Sequence, residues 1–507
     1  MRRRKSPLLF TAAVLAAGSL LLAGCSAGST SSKGSSDGKT PTTATIALTG
    51  TPTNLDFTTT AGSAIPQALM SNVYEGLVEV NQEGDVVPLL AKDWKLSDDR
   101  KTYTFNLQDG VTFSNGDAFT AKDVKFSFDR VKSDWVSSLK AKMDVVDNVE
   151  VISDTEVAVH LKQPSNAWLF NIATPVGAIF SPNGVSDLAN SPVGTGPYAV
   201  EKWTPNESIV LKTRDDYWGK KPGVKQVTLK YFADATATTN ALQTGDVDAI
   251  ANLQAPELLS SFESNDKFQV ITGTSSGEVT LSMNNKTAPF NDKRVRQAVL
   301  YALDKQAIMD TAWNGYGTLT STLVTPTDPY YEDLNKVYPY DPAKAKELLK
   351  EAGAENLNIT YTVPTRPYAQ AVSEIVVSQL KDVGINVTIK SSEFPAVWLD
   401  DVFTKHDYQM TTVLAVEARD LLTVFNDPNY YIGYDNSVIA PIAAEADAAD
   451  EAGYVAGMKK VARQVVDDAA SGVLFLFPNI VVAKADLQGL PKNAIVESLN
   501  LTDLSWK

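Results

Sequence analysis

Apolar and polar residues follow two different periods along this chain, and the change falls near residue 285. Before it, short runs alternate with period two, as strands with one buried face do. "TATIALTG" (43–50), "TYTFNL" (102–107), "KQVTLKYF" (225–232) and "EVTLSMNN" (278–285) are predicted strands. "VEVISDTEVAVHLKQP" predicts two strands joined at "SDT", and "SNGD" (114–117) is a turn signal. Helical spacing opens "IPQALMSNVYEGLVEV" and "TAKDVKFSFDRV", the latter with Thr120 placed as N-cap. "DATATTNALQTGDVDAI" predicts a helix stopped by Gly245 and then a strand. Beyond 285, "DKRVRQAVLYALDKQAIMDTAW", "DPAKAKELLKEAG" and "YAQAVSEIVVSQLKDVG" read as long helices. They alternate with the strands "LNITYTV", "NVTIKSS" and "YQMTTVLAV", which is α/β texture.

One strand ends unusually. In "TTVLAVEARDLLTVF" (411–425) the apolar run from Val413 to Val416 passes at once into Glu417, Arg419 and Asp420. Such a group is either an internal ion-pair cluster or a place where a charged molecule binds.

Length and composition narrow the field. A chain of 507 residues is too long for one core and predicts two or more domains. A net charge of −15 repels phosphate backbones and speaks against nucleic acid as a partner. The single Cys, Cys25, precludes an intrachain disulfide, and the two His, His160 and His406, preclude a His-rich metal site. No carboxylate spacing suggests a metal either, and no cofactor is expected. "GTSSG" (273–277) matches G-x-S-x-G, with Ser275 as the nucleophile of a secreted serine hydrolase. That motif needs a helix after it, whereas "EVTLSMNN" follows, so a turn between strands is expected and the chain is not expected to be an enzyme.

The first 24 residues have the form of a signal peptide, with "MRRRK" before the apolar "PLLFTAAVLAAGSLLL". "LAGC" (22–25) resembles the lipobox of bacterial lipoproteins, which implies cleavage before Cys25 and lipid on its thiol. The Ser/Gly/Thr-rich stretch to residue 43 reads as a flexible tether. The expected location is the extracytoplasmic face of the cell membrane, lipid-anchored, in a Gram-positive envelope.

Several long blocks carry a family resemblance. "YEGLVEVNQEGDVVPLLAKDWKLSDDRKTYTFNLQDGVTFSNGDAFTAKDVKFSFDRV", "SPVGTGPY", "MNNKTAPFNDKRVRQAVLYALDKQAI", "YDPAKAKELLKEAG" and "QLKDVGINVTI" resemble the peptide-type, family 5 solute-binding proteins of bacterial ABC importers. The resemblance implies a periplasmic-binding-protein-like class II α/β fold, with two α/β lobes, a hinge and an inserted extra domain. Domain I would comprise 44–82, 190–284 and 478–507, domain II 83–189 and domain III 285–477. It implies a monomeric receptor that captures short peptides between its lobes and delivers them to an ABC permease and its ATPase subunits. A sugar or a metal chelate is the alternative solute.

The resemblance also assigns residues. In "PTRPYAQA", Arg366 takes the role of peptide-carboxylate receptor, suited by its planar fork. The family's Trp-x-x-Asp, whose Asp receives the peptide ammonium, falls on Leu414 and Glu417, so the acid is kept in charge and the Trp is lost. Asp420 is a rival for the ammonium, and Arg419 either binds solute or neutralises its neighbours. Backbone pairing with a peptide would come from Val413 and Ala415, and from Ala61, Gly62 and Ser63. Tyr368, Phe394, Trp398 and Tyr430 are candidates for side-chain pockets.

Overall fold

Ten strands share one mixed sheet, and its two longest strands stand side by side at the centre. The computed structural model describes residues 41–60 and 62–507. The expected signal segment, Cys25, the tether as far as residue 40, and Ala61 lie outside the described residues. The sheet order is Asn386–Ser392, Asn358–Pro364, Met410–Ala415, Phe268–Met283, Ser471–Lys484, Ala249–Ile250, Thr43–Leu48, Gln226–Tyr231, Ser208–Thr213 and Tyr198–Thr204. Phe268–Met283 and Ser471–Lys484 pair antiparallel along their length. Met410–Ala415 joins one end of this pair, at residues 278–283. Ala249–Ile250 joins the other end, at residues 482–483.

Between the two ends the register slips. Thr274 faces Pro478 and Glu278 faces Leu476, so residues 275–277 stand against Phe477 alone. Extra residues on one strand bend and twist a ladder. The Ser275 hydroxyl fastens the bulge, donating to Phe477 O (2.6 Å) and accepting from Gly277 N (3.0 Å). "GTSSG", expected as a turn between strands, is therefore an irregularity inside one strand. Turn-type composition served a bulge rather than a reversal. The hydroxyl is committed to these two backbone groups.

Buried side chains gather on either side of this bulge. One core runs from Ala44 to Ala251 and returns through Val481 to Leu504. It includes the inner face of a separate four-stranded sheet, ordered Ala91–Leu96, Thr102–Leu107, Glu156–Leu161 and Val146–Ser153. Two further cores occupy the other side, one built from Val279 to Phe477 and one from Leu323 to Val473. We call the two sides the first and second lobes. No helix among the described residues is long and apolar enough to cross a membrane.

Most elements follow their local chemistry. Thr120 caps the helix Ala121–Asp134, and Asp123 bonds back to the Thr120 N–H to complete a capping box. Thr120→Ala is expected to cost about 1 kcal/mol, measurable as a shift in the urea midpoint. The single helix expected over 292–313 is instead two, Lys293–Tyr301 and Lys305–Trp313. Asp304 divides them, because its carboxylate accepts from Ala307 N (3.0 Å) and starts a new helix.

"SPVGTGPY" is a packing junction. A Cβ on Gly194 would lie 1.9 Å from Val73 O, so only glycine lets the two backbones meet. Beside it Glu75, 2% exposed, accepts from Thr195 Oγ1 (2.8 Å), Tyr217 OH (2.8 Å) and Trp218 Nε1 (3.0 Å). Burial pushes its pKa up, and the three donors oppose that shift. At the start of the strand Thr43–Leu48, Trp506 Nε1 donates to Thr43 O (2.9 Å), which brings the two ends of the described chain together on the first lobe.

Candidate functional site

The strand Met410–Ala415 ends where the lobes meet. Val413 lies opposite Thr280 and Ala415 opposite Glu278. Val413 O accepts from Thr280 Oγ1 (3.0 Å). Leu414 N donates to Tyr368 OH (2.8 Å), so this part of the backbone is engaged by the protein itself. Tyr368 is buried, its phenol pushed up to about 12 by burial, and its ring packs edge-on to Phe477 at 6.0 Å. It holds the strand end in place from the neighbouring helix Pro367–Asp382.

Past Ala415 the chain leaves the sheet. Val416 O accepts from Ser276 Oγ (3.0 Å), tying the exit to the bulge. Arg419 then adopts a left-handed backbone, φ 56°, and Asp420 opens the short helix Leu421–Phe425. This turn sends Arg419 across to the first lobe. Its Nη2 donates to Gly84 O (3.0 Å), and its guanidinium lies 3.8 Å from the centroid of Phe170. Its Nε sits 3.3 Å from Asp328 Oδ1 on its own lobe. Asp328 is buried and also accepts from Thr325 N (2.8 Å).

Two neighbouring carboxylates are not served this way. Asp420 is 5% exposed and Glu278 2%, and Asp420 Oδ1 and Glu278 Oε2 have no hydrogen-bond partner among the described residues. Burial drives both pKa values well up, reinforced for Glu278 by Asp420 and Asp328, and for Asp420 by Glu417 and Asp328. Glu75 is equally deep yet has three donors. The contrast separates a carboxylate fully supplied with donors from two that, among the described residues, are not.

Glu417 lies nearer solvent, its side chain 47% exposed, with an oxygen 3.9 Å from Lys142 Nζ of the first lobe. A small cavity between the lobes is lined by Leu139, Lys142, Thr174, Glu417, Val496 and Glu497. A second lobe-to-lobe contact closes the far side. Asp447 Oδ1 accepts from Ser165 Oγ (3.1 Å), Asn166 N (2.7 Å) and Ala167 N (3.1 Å). Asn166 Nδ2 donates to Asp447 O (2.9 Å) and Ala449 O (2.8 Å).

Sequence-predicted residues thus fall into two groups. Glu417, Arg419 and Asp420 come together at the lobe junction. Arg366 is exposed just before the helix Pro367–Asp382, its guanidinium 4.9 Å from the centroid of Phe394. It shares no ion pair or hydrogen bond with Glu417, Arg419 or Asp420 among the described residues. Gly62 and Ser63 are exposed, immediately before the helix Ala64–Leu69. Trp398 is a core residue, its Nε1 donating to Thr411 Oγ1 (3.0 Å) and its ring 5.7 Å from Phe394. Tyr430 is half-buried against Tyr431 and Phe403.

Sequence reasoning missed Glu278, Asp328 and Lys142. For Glu278 a signal existed. Glu278, Thr280 and Ser282 form the polar face of an alternating strand, and all three are buried. No group of His, Cys, Asp and Glu among the described residues is arranged to hold a metal ion.

Comparison with known proteins gives the family. Residues 85–433 match the family "Bacterial extracellular solute-binding proteins, family 5 Middle". The nickel-binding periplasmic protein of Escherichia coli (strain K12) is 30% identical over 356 residues, 65% of this chain and 67% of its own. The glutathione-binding protein GsiB of Escherichia coli O1:K1 / APEC is 32% identical over 345 residues, 66% of each chain. The matches therefore span about two thirds of these relatives' lengths. The periplasmic binding protein DppA from Helicobacter pylori, solved with the peptide STSA, has the same fold. Its TM-score is 0.78 at 22% identity, over 92% of this chain and 98% of that one. From the matched core and the two-lobed sheet around it, the chain belongs to the family 5 bacterial extracellular solute-binding proteins.

Proposed function

We propose that this chain is a lipid-anchored extracytoplasmic receptor that captures a short peptide between its lobes and hands it to an ABC importer. The domain limits drawn from the sequence and the monomeric state belong to the same proposal. The observation that carries it is Asp420, a carboxylate buried at the lobe junction with one oxygen unpartnered among the described residues. A peptide's α-ammonium would satisfy that oxygen inside a region from which water is excluded. Glu417, half-exposed beside Lys142, then guides the ammonium inward rather than receiving it. Arg366, solvent-facing and without a carboxylate partner among the described residues, takes the peptide's far carboxylate. Tyr368 fixes the strand end between them. An anionic metal chelate suits this cleft less well, because it would face Glu278 and Asp420.

Calorimetry with trialanine and its N-acetyl form tests the reading. Acetylation should weaken binding to the wild type by about 10-fold or more, and Asp420→Asn should erase most of that difference. Full retention of the free-amine preference in Asp420→Asn would remove Asp420 from the role.

A further inference from the structure

The lobe junction holds more buried carboxyl groups than one ammonium answers. Of three buried carboxylates there, Glu278, Asp328 and Asp420, only Asp328 is paired with the guanidinium of Arg419 among the described residues, and the nearby Lys142 pairs with Glu417. Arg419 and Thr325 serve Asp328, leaving one oxygen each on Asp420 and Glu278. On the polar face of its strand Glu278 is the exception. Thr280 Oγ1 donates to Val413 O (3.0 Å), and Ser282 Oγ bonds Tyr431 OH (3.2 Å). Only Glu278 on that face presents an oxygen left unanswered among the described residues. A carboxylate kept at such depth for structure is expected to look like Glu75, fully supplied with donors.

We infer that Glu278 receives a second cationic group of the solute, so that the receptor selects peptides whose first residue bears a basic side chain. This rests on the peptide reading, with Asp420 taking the α-ammonium. Glu278 lies beside the bulge between the lobes, across the ladder from Ala415, five residues before Asp420. A peptide entering with its amino end toward Asp420 therefore carries its first side chain into the neighbourhood of Glu278. Two cations against the two unanswered carboxylates leave the junction neutral, the condition under which buried charge is tolerated.

The test compares Lys-Ala-Ala with norleucyl-Ala-Ala, whose first side chain has similar length and no charge, and with 1,5-diaminopentane. In the wild type Lys-Ala-Ala should bind about 10-fold or more tighter than the norleucyl peptide. Glu278→Gln, near-isosteric, should shrink that ratio to about 3-fold or less. Equal binding of the two peptides by the wild type overturns the inference and leaves the peptide reading intact. A ratio preserved in Glu278→Gln overturns it in the same way. If the diamine binds and neither peptide does, the peptide reading falls, and loss of diamine binding in Glu278→Gln would keep Glu278 as a cation receptor. If nothing binds, both fall. Should Glu278→Gln not fold, the wild-type ratio alone decides.

Discussion

Gly84→Val is expected to prevent the lobes from closing while leaving each lobe folded. Gly84 sits in the turn between the strands Val78–Val80 and Val86–Pro88, with φ 91°, and its carbonyl accepts from Arg419 of the other lobe. A Cβ there would lie 2.4 Å from Thr327 O, a backbone atom of the second lobe that cannot rotate away. The clash exists only when the lobes are together, so it penalises the closed state and spares the open one. Left-handed backbone adds a local cost of about 1–2 kcal/mol at the turn, too small to unfold a lobe. Small-angle scattering should show the wild type contracting on addition of peptide and the variant failing to. Affinity should drop about 10-fold or more with little change in the thermal midpoint. Contraction equal to that of the wild type would show that the Gly84 contact is not part of closure.

Glu75→Ala should produce the largest loss of stability among single substitutions of carboxylates. It strands Thr195 Oγ1, Tyr217 OH and Trp218 Nε1 in a buried site. It also removes a negative charge beside Arg214, which is nearly inaccessible. A loss of about 3–5 kcal/mol follows from breaking such a network, read by urea denaturation. A loss below about 1 kcal/mol would mean that the donors find water. In the same assay Asp420→Asn and Glu278→Gln should be neutral or stabilising, because neither change takes an acceptor from a donor among the described residues. Opposite signs for equally buried carboxylates would distinguish binding groups from structural ones without any ligand.

What could be read from the chain was whatever depends on neighbours in sequence. The capping box at Thr120 and Asp123, the helix ended by Gly245 and the hairpin joined at "SDT" all follow from contacts a few residues apart. The family, too, was legible, because long blocks preserve it. The break at Asp304 was not. Apolar spacing continues across it, and only the side-chain bond to Ala307 N reveals a cap. The bulge at residues 275–277 was hidden for another reason. Gly and Ser suit a reversal and a bulge alike, and the partner that decides between them, Phe477, is some 200 residues away. At the site, charge was visible in sequence and burial was not. Glu417, the position singled out by the Trp-x-x-Asp comparison, is half-exposed, whereas Asp420 and Glu278 are enclosed. That enclosure is made by chain segments from both lobes, which no local pattern encodes.

The meeting of Trp506 with Thr43 has a practical consequence. Both ends of the described chain leave from one lobe, so a load applied through either end passes through that lobe's own sheet. The strands that bend between the lobes stay outside the load path. A surface linkage, a fluorophore or a fused partner at either end would therefore sit on the first lobe, away from the second. Both attachment points then lie on the lobe that does not carry Glu278 and Asp420.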